Sequence, residues 1–320
     1  MSFKIENNVN LPNVFIVGAP KCGTSSLVTY MSEHPSIFMS DPKEPNYFAR
    51  HLFTAYQKEK IRRLNISYKT NLIDYLDLFK NSKGKTVIGE ASTRYIRSKR
   101  ALIEIKALNP NAKIIVMLRN PVDLVVSWHK QKLYENQETV KNFSKAWDLQ
   151  FERMKGECLP ERMWATDELF YGKIGGLASQ VEILLDIFNR KQICFIFFDD
   201  FVKDTKKEYA RVLNFLNVDF DRKEYFPVIN ARKNIRFHAL YRLLCTRTYS
   251  YYRLKSILEK SLNIKLSGLT YCTNRLFIST NKEKQNTFNK KIKPKLVEYF
   301  KDEIRRLEIL SNRDLSDWYM

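Results

Sequence analysis

The chain reads as α/β: a single domain over residues 1–320 with a central parallel sheet flanked by helices. Three observations carry this. Apolar runs at 14–18, 86–88, 114–118 and 193–198 are short and do not alternate, as in strands buried on both faces. Helical patterns fall between them, and an alternating β/α order implies parallel strands with helices on both sides. The 320 residues are 44% hydrophobic and 13% aromatic, enough for one large core without a second domain.

The first strand leads into Gly18-Ala19-Pro20-Lys21-Cys22-Gly23-Thr24-Ser25-Ser26, a Gly/Pro turn and then small hydroxyl residues that open a helix. That order builds an anion cradle, because turn amides and the first helical amides converge on one spot. A nucleotide-triphosphate loop reads G-x-x-x-x-G-K-[ST]. Gly18, Gly23 and Ser25 match it, but Thr24 holds the lysine position and Lys21 lies inside the turn. No magnesium partner accompanies the loop. The segment therefore points to a phosphate-binding transferase and away from an ATPase.

Asp41 to Phe48 follows, with Lys43 and Glu44 between two prolines, and then Val87 to Tyr95 with Glu90 closing an apolar run. Either carboxylate could take a proton from an acceptor. Ile114 to Leu118 is the best buried strand, and Arg119 follows at its carboxyl end, where open α/β sheets bind ligands. A guanidinium there can grip a phosphate bidentately. Pro121 suits a first helical position, Asp123 suits the first turn, and Ser127 lies further along that helix. His34 is expected to end the first helix, and His129 is a further candidate base. The spacing of 177, 181, 184, 185 and 188 predicts a helix, followed by the strand 193–198 with Asp199 and Asp200 at its exit.

Pro20-Lys21-Cys22-Gly23-Thr24-Ser25-Ser26-Leu27 resembles the 5′-phosphosulfate loop, P-K-x-G-[TS]-[TS]-x-L, of sulfotransferases that use 3′-phosphoadenosine 5′-phosphosulfate (PAPS). Arg119 to Ser127 resembles the same family's 3′-phosphate element, R-x-P-x-x-x-x-x-S, in the right order along the chain. Relatives in the heparan sulfate branch often carry an arginine and a tyrosine where this chain has Leu124 and His129. The resemblance implies a P-loop, nucleotide-kinase-like sulfotransferase fold, and PAPS as co-substrate with PAP as product. It implies donor binding by Pro20, Lys21, Cys22, Gly23, Thr24, Ser25, Ser26, Arg119 and Ser127, with no metal. The stretch 43–48 resembles the family's K-E-x-x-[FY]-F, which makes Glu44 the base. Glu90, in a G-E-x-[ST]-P-x-Y-like element where Thr93 stands at the proline position and Arg94 follows it, is the second candidate. Lys21 would counter the charge on the departing phosphate. Asn230 to Asn234 resembles a basic loop that closes over the adenosine, which adds Arg232 and Lys233. Leu296 to Trp318 resembles the family's terminal helix, ending in D-L-S-x-W.

The basic excess is local. Residues 229–297 hold 16 Lys/Arg against 2 Asp/Glu, a net +14 of the chain's +20. This reads either as a surface for an acidic or membrane-bound acceptor or as a solvated cationic face, with helical spacing over 237–262. Five scattered cysteines, without a C-x-x-C pair, suit a reducing cytoplasm, and the basic segment allows a place peripheral to a membrane there. Asn65 and Asn142 match the glycosylation pattern by chance on that reading. A nucleotide kinase would want a lysine after Gly23. A nucleic-acid-binding protein would want a recognisable motif, and no specific nucleic-acid partner is expected. The acceptor stays open among small molecules, glycans and lipids, as does O- against N-sulfation.

Overall fold

The first strand, β1 (Val14–Gly18), is buried along its whole length and lies at the centre of a five-stranded parallel sheet. A computed structural model describes residues 10–55, 57–58, 69–160, 163, 165–229, 234–235, 278–279 and 289–320. The other sheet strands are β2 (Ile37–Met39), β3 (Val87–Ala91), β4 (Lys113–Leu118) and β5 (Ile193–Phe197), in the order β2-β3-β1-β4-β5. The chain fills one side of β1 first and then crosses to β4. The β1/β4 boundary is thus the topological switch point, where ligands bind at the strands' carboxyl ends. Phe15 pairs with Glu90 on one side and Ile114 on the other.

Helices cover both faces. The helix α1 (Thr24–Ser32) follows β1 directly. Further along come α2 (Leu72–Leu76), α3 (Lys99–Leu108), α4 (Pro121–Tyr134), α5 (Phe143–Arg153), α6 (Tyr171–Gly175) and α7 (Leu177–Ile187). The last are α8 (Phe198–Lys203), α9 (Thr205–Leu216) and α10 (Asn289–Ser311). The α4 start is as read from sequence. Pro121 is its first residue, and the Asn120 side chain caps it by accepting from the Val122 amide at 3.0 Å.

Four boundaries differ from the sequence reading. β2 was not foreseen. β3 runs through Glu90 to Ala91, so Glu90 stands inside a buried strand. Asp199 and Asp200 fall in the first turn of α8, where acidic residues favour the helix dipole. The terminal helix starts earlier and stops at Ser311, and Trp318 lies in a separate short 3-10 turn, Ser316–Tyr319. Residues 234–235 and 278–279 pair as a small antiparallel ladder. Arg232, Lys233, the stretch 237–262 and most of the basic segment lie outside the described residues.

Candidate active site

Four strand ends deliver the candidate residues to one edge of the sheet. The loop after β1 is shaped by its glycines. A Cβ on Gly18 would meet Ile96 Cγ2 at 2.5 Å, so close packing forbids a side chain there. Gly23 has φ +89°, left-handed backbone that suits glycine, while the space around it would admit a Cβ. Lys21 also sits in the left-handed region, at φ 64°, a strain that costs about 1–3 kcal/mol and gathers at functional sites. The loop is fastened to β4 by Ala19 N–H donating to Met117 O at 2.6 Å.

Beyond Gly23, α1 begins with no side-chain cap and no acidic residue in its first turn. The amides of Thr24, Ser25 and Ser26 therefore keep their full attraction for an anion. Cys22 contributes backbone only. Its thiol is buried and donates to Pro20 O at 3.3 Å, and burial pushes its pKa up to about 12. Lys21 Nζ donates to Gln131 Oε1 at 3.1 Å. Burial draws its ammonium pKa down, with Glu135 opposing and Arg119 and Lys132 adding to the shift.

Arg119 meets the loop from β4. Its Nη1 donates to Lys21 O at 3.1 Å, its guanidinium carbon lies 4.5 Å from the Phe198 ring centroid, and Asp123 Oδ2 is 3.7 Å from Nη2. Its Nε is buried without a hydrogen-bond partner among the described residues. Asp123 and Ser127 are four residues apart and share a face of α4. Ser127 is half-buried.

The base-side residues come from the β2 and β3 exits. Glu44 is 28% exposed on its side chain and has φ 59°. Its Oε1 accepts from Lys43 Nζ at 3.2 Å and Thr93 Oγ1 at 3.2 Å, and Lys43 Nζ also donates to Thr24 Oγ1 at 3.3 Å. Lys43 thus bridges the helix amino end and the carboxylate. Burial alone would raise the Glu44 pKa, but the Lys43 ammonium, the Arg94 guanidinium and these hydrogen bonds hold it below the usual carboxylate range.

Glu90 is wholly buried. Tyr75 OH donates to its Oε1 at 3.1 Å and Ser92 Oγ to its Oε2 at 2.8 Å. Burial raises its pKa to about 7 against the hydrogen bonds of Tyr95, Ser92 and Tyr75. Ser92 Oγ in turn accepts from Asn46 N–H at 3.1 Å, so Glu90 braces the loop carrying Glu44. The histidines stand apart. His129 is 3% exposed, bonds Val140 O at 2.8 Å and packs on Phe143 and Tyr171; burial lowers its pKa. His34 lies just past α1, buried against Asp219 O at 3.0 Å.

A buried charge cluster links the two sides and was not read from the sequence. Gln131 Nε2 donates to Glu135 Oε1 at 2.8 Å, and Lys132 Nζ to Glu135 Oε2 at 2.7 Å. Lys132 also reaches Glu168 Oε2 at 3.0 Å, and Arg94 donates to Glu168 Oε1 through Nε at 3.0 Å and through Nη2. Burial would raise the Glu168 pKa, but Arg94 and Lys132 hold it at about 2. Arg94, which follows Thr93 at the expected proline position, is thus one anchor of this cluster.

A family model described as a sulfotransferase domain matches residues 11–307. The chain belongs to the sulfotransferase family. Human carbohydrate sulfotransferase 15 is 25% identical to this sulfotransferase over 280 residues, covering 70% of the chain and 48% of that protein. Human heparan sulfate glucosamine 3-O-sulfotransferase 3A1 is 24% identical over 245 residues, covering 73% of the chain and 54% of that protein. The chain thus spans about half the length of the curated relatives it matches. Among solved structures, a sulfotransferase from Alicyclobacillus acidocaldarius is 26% identical with a TM-score of 0.68, covering 98% of this chain and 100% of that one. The parallel sheet is that of the sulfotransferase fold, and the matched domain covers nearly the whole chain. Among the described residues, no helix is long and apolar enough to cross a membrane.

Proposed function

We propose that this sulfotransferase moves the sulfuryl group of PAPS in line onto a hydroxyl or amine of a glycan, lipid or small-molecule acceptor. The observation that carries this is the uncapped amino end of α1, with Lys43 bridging its Thr24 hydroxyl to Glu44 and Arg119 bonded to the Lys21 carbonyl in the loop that leads into it. In this reading the loop amides of Pro20 to Ser26, proline excepted, hold the 5′-phosphosulfate. Arg119, with its buried Nε lacking a partner among the described residues, and Ser127 take the 3′-phosphate. The sequence resemblance assigns Arg232 and Lys233, which lie outside the described residues, to the adenosine side.

Glu44 accepts the acceptor's proton as the new S–O bond forms and the bond to the phosphate breaks. Its depressed pKa keeps it ionised at neutral pH and ready to accept. Lys21 meets the charge that develops on the departing phosphate. Glu90 positions the base loop through Ser92 and Asn46. The reading assigns no metal. It treats residues 1–320 as one domain in a cytoplasmic setting, with Cys22, Cys158 and Cys194 as free thiols. For the basic segment 229–297, most of it outside the described residues, the reading keeps both a surface for an acidic or membrane-bound acceptor and a solvated cationic face. The names of the matched relatives favour a glycan acceptor, with both O- and N-sulfotransferases among them.

The test is transfer from radiolabelled PAPS to desulfated heparan sulfate, chondroitin, phospholipid vesicles and a small-metabolite fraction. Label entering one of these is expected, with the glycan first. Label entering none of them, with PAPS intact, would overturn the reading.

A further inference from the structure

Trp318 and its neighbours form a set of contacts that the proposed reaction leaves unused. Trp318 is 5% exposed and packs on Phe197, with ring centroids 6.0 Å apart. Its indole Nε1–H donates to Asp199 Oδ2 at 3.0 Å. Its carbonyl accepts from Asn120 Nδ2 at 3.3 Å. Nearby, Arg313 holds Asp200 through both terminal guanidinium nitrogens.

Trp318's partners adjoin Arg119 or a residue that touches it. Asn120 follows it in sequence and caps α4. Phe198, between Phe197 and Asp199, carries the Arg119 guanidinium on its ring. Asp199 is exposed, and both it and Arg119 act electrostatically on the buried Cys22 thiol, so both charges lie close to the donor loop. A carboxylate loose at this point would compete with a phosphate for the guanidinium and repel the phosphate as well.

We infer that Trp318 is a positioning residue for Arg119: its indole N–H holds the Asp199 carboxylate aside while its carbonyl fixes Asn120, so that Asp199 does not join Asp123, 3.7 Å away, in competing with a nucleotide phosphate for the guanidinium. The inference rests on Arg119 being the 3′-phosphate ligand. Trp318→Phe keeps the ring on Phe197 and deletes the N–H. Calorimetry should show PAP affinity falling about fivefold, the ratio one net hydrogen bond supplies. Adenosine 5′-phosphosulfate, which lacks the 3′-phosphate, should bind nearly as before. Adding Asp199→Asn to Trp318→Phe should restore PAP affinity, and Asp199→Asn alone should bind PAP at least as well as the unaltered protein. Equal losses for both nucleotides, a double variant no better than the single one, or weakened PAP binding in Asp199→Asn alone would each overturn the inference. Arg119→Ala separates the two levels. If it loses no selectivity for PAP, the assignment of Arg119 fails. If it loses selectivity while Trp318→Phe behaves like the unaltered protein, only the role of Trp318 fails.

Discussion

Replacing Glu44 by Gln removes the carboxylate's basicity and almost nothing else. The side chain keeps its length, and Thr93 can still donate to a side-chain oxygen there, as it does to Oε1 at 3.2 Å. The Lys43–Glu44 pair is lost, but both side chains are about a quarter exposed, and such pairs contribute about 0–1 kcal/mol. The fold should therefore hold to within about 1 kcal/mol. The donor cradle contains no Glu44 atom, so PAP affinity should be nearly unchanged. Turnover should fall about 10²–10⁴-fold, the range for a lost general base, or about 2.7–5.4 kcal/mol in the barrier. The assay is PAP release with a saturating acceptor, run beside calorimetric PAP binding on the same preparation. Turnover within about tenfold of the unaltered enzyme would refute the base assignment. If Glu90→Gln collapses instead, the proton goes to Glu90; if only His129→Ala is dead, a histidine base takes over.

Three further outcomes follow from the same geometry. Lys43→Met removes the largest charge lowering the Glu44 pKa, so the acid limb of the kcat–pH profile should move to higher pH; an unmoved limb would detach Lys43 from Glu44. Glu168 has a folded pKa of about 2 against 4.5 when unperturbed, so its stabilisation, about 3 kcal/mol, is present above pH 4.5 and lost as pH falls towards 2. Denaturant titrations of Glu168→Gln should show a deficit at pH 7 that shrinks in acid, and a deficit independent of pH would count against the cluster. Gly23→Ala should cost about 1–2 kcal/mol through its left-handed backbone and should also weaken PAP binding, measured by thermal shift and calorimetry.

What the sequence revealed was what is local in it. The cradle is a run of adjacent residues whose turn and helix start are set by Gly18, Pro20 and Gly23, so it could be read before the fold was known. Arg119 was legible because a five-residue apolar run ends beside it. β2 escaped notice because Ile37, Phe38 and Met39 are too few to form a pattern. Glu90 looked like the end of a run because its environment comes from Tyr75 and Tyr95, whose placement needs the folded sheet. The same holds for Gln131, which meets Lys21 across 110 residues, and for Glu168, which reaches Lys132 and Arg94 from a distant turn. No spacing announces such pairs. Trp318 was visible only as part of a terminal pattern, and its bond to Asp199 gave it a place near Arg119.

The central claim is that the α1 amino end, Lys21 and Arg119 form a site for a 3′-phosphorylated adenosine phosphosulfate. Calorimetric titration of PAP into the unaltered protein, in a chelator and again with magnesium, tests it most directly. Saturable binding of the same strength in both is predicted, with PAP at 100 times its dissociation constant stabilising the fold by about 2.7 kcal/mol. No binding, or binding that appears only with magnesium, would contradict it.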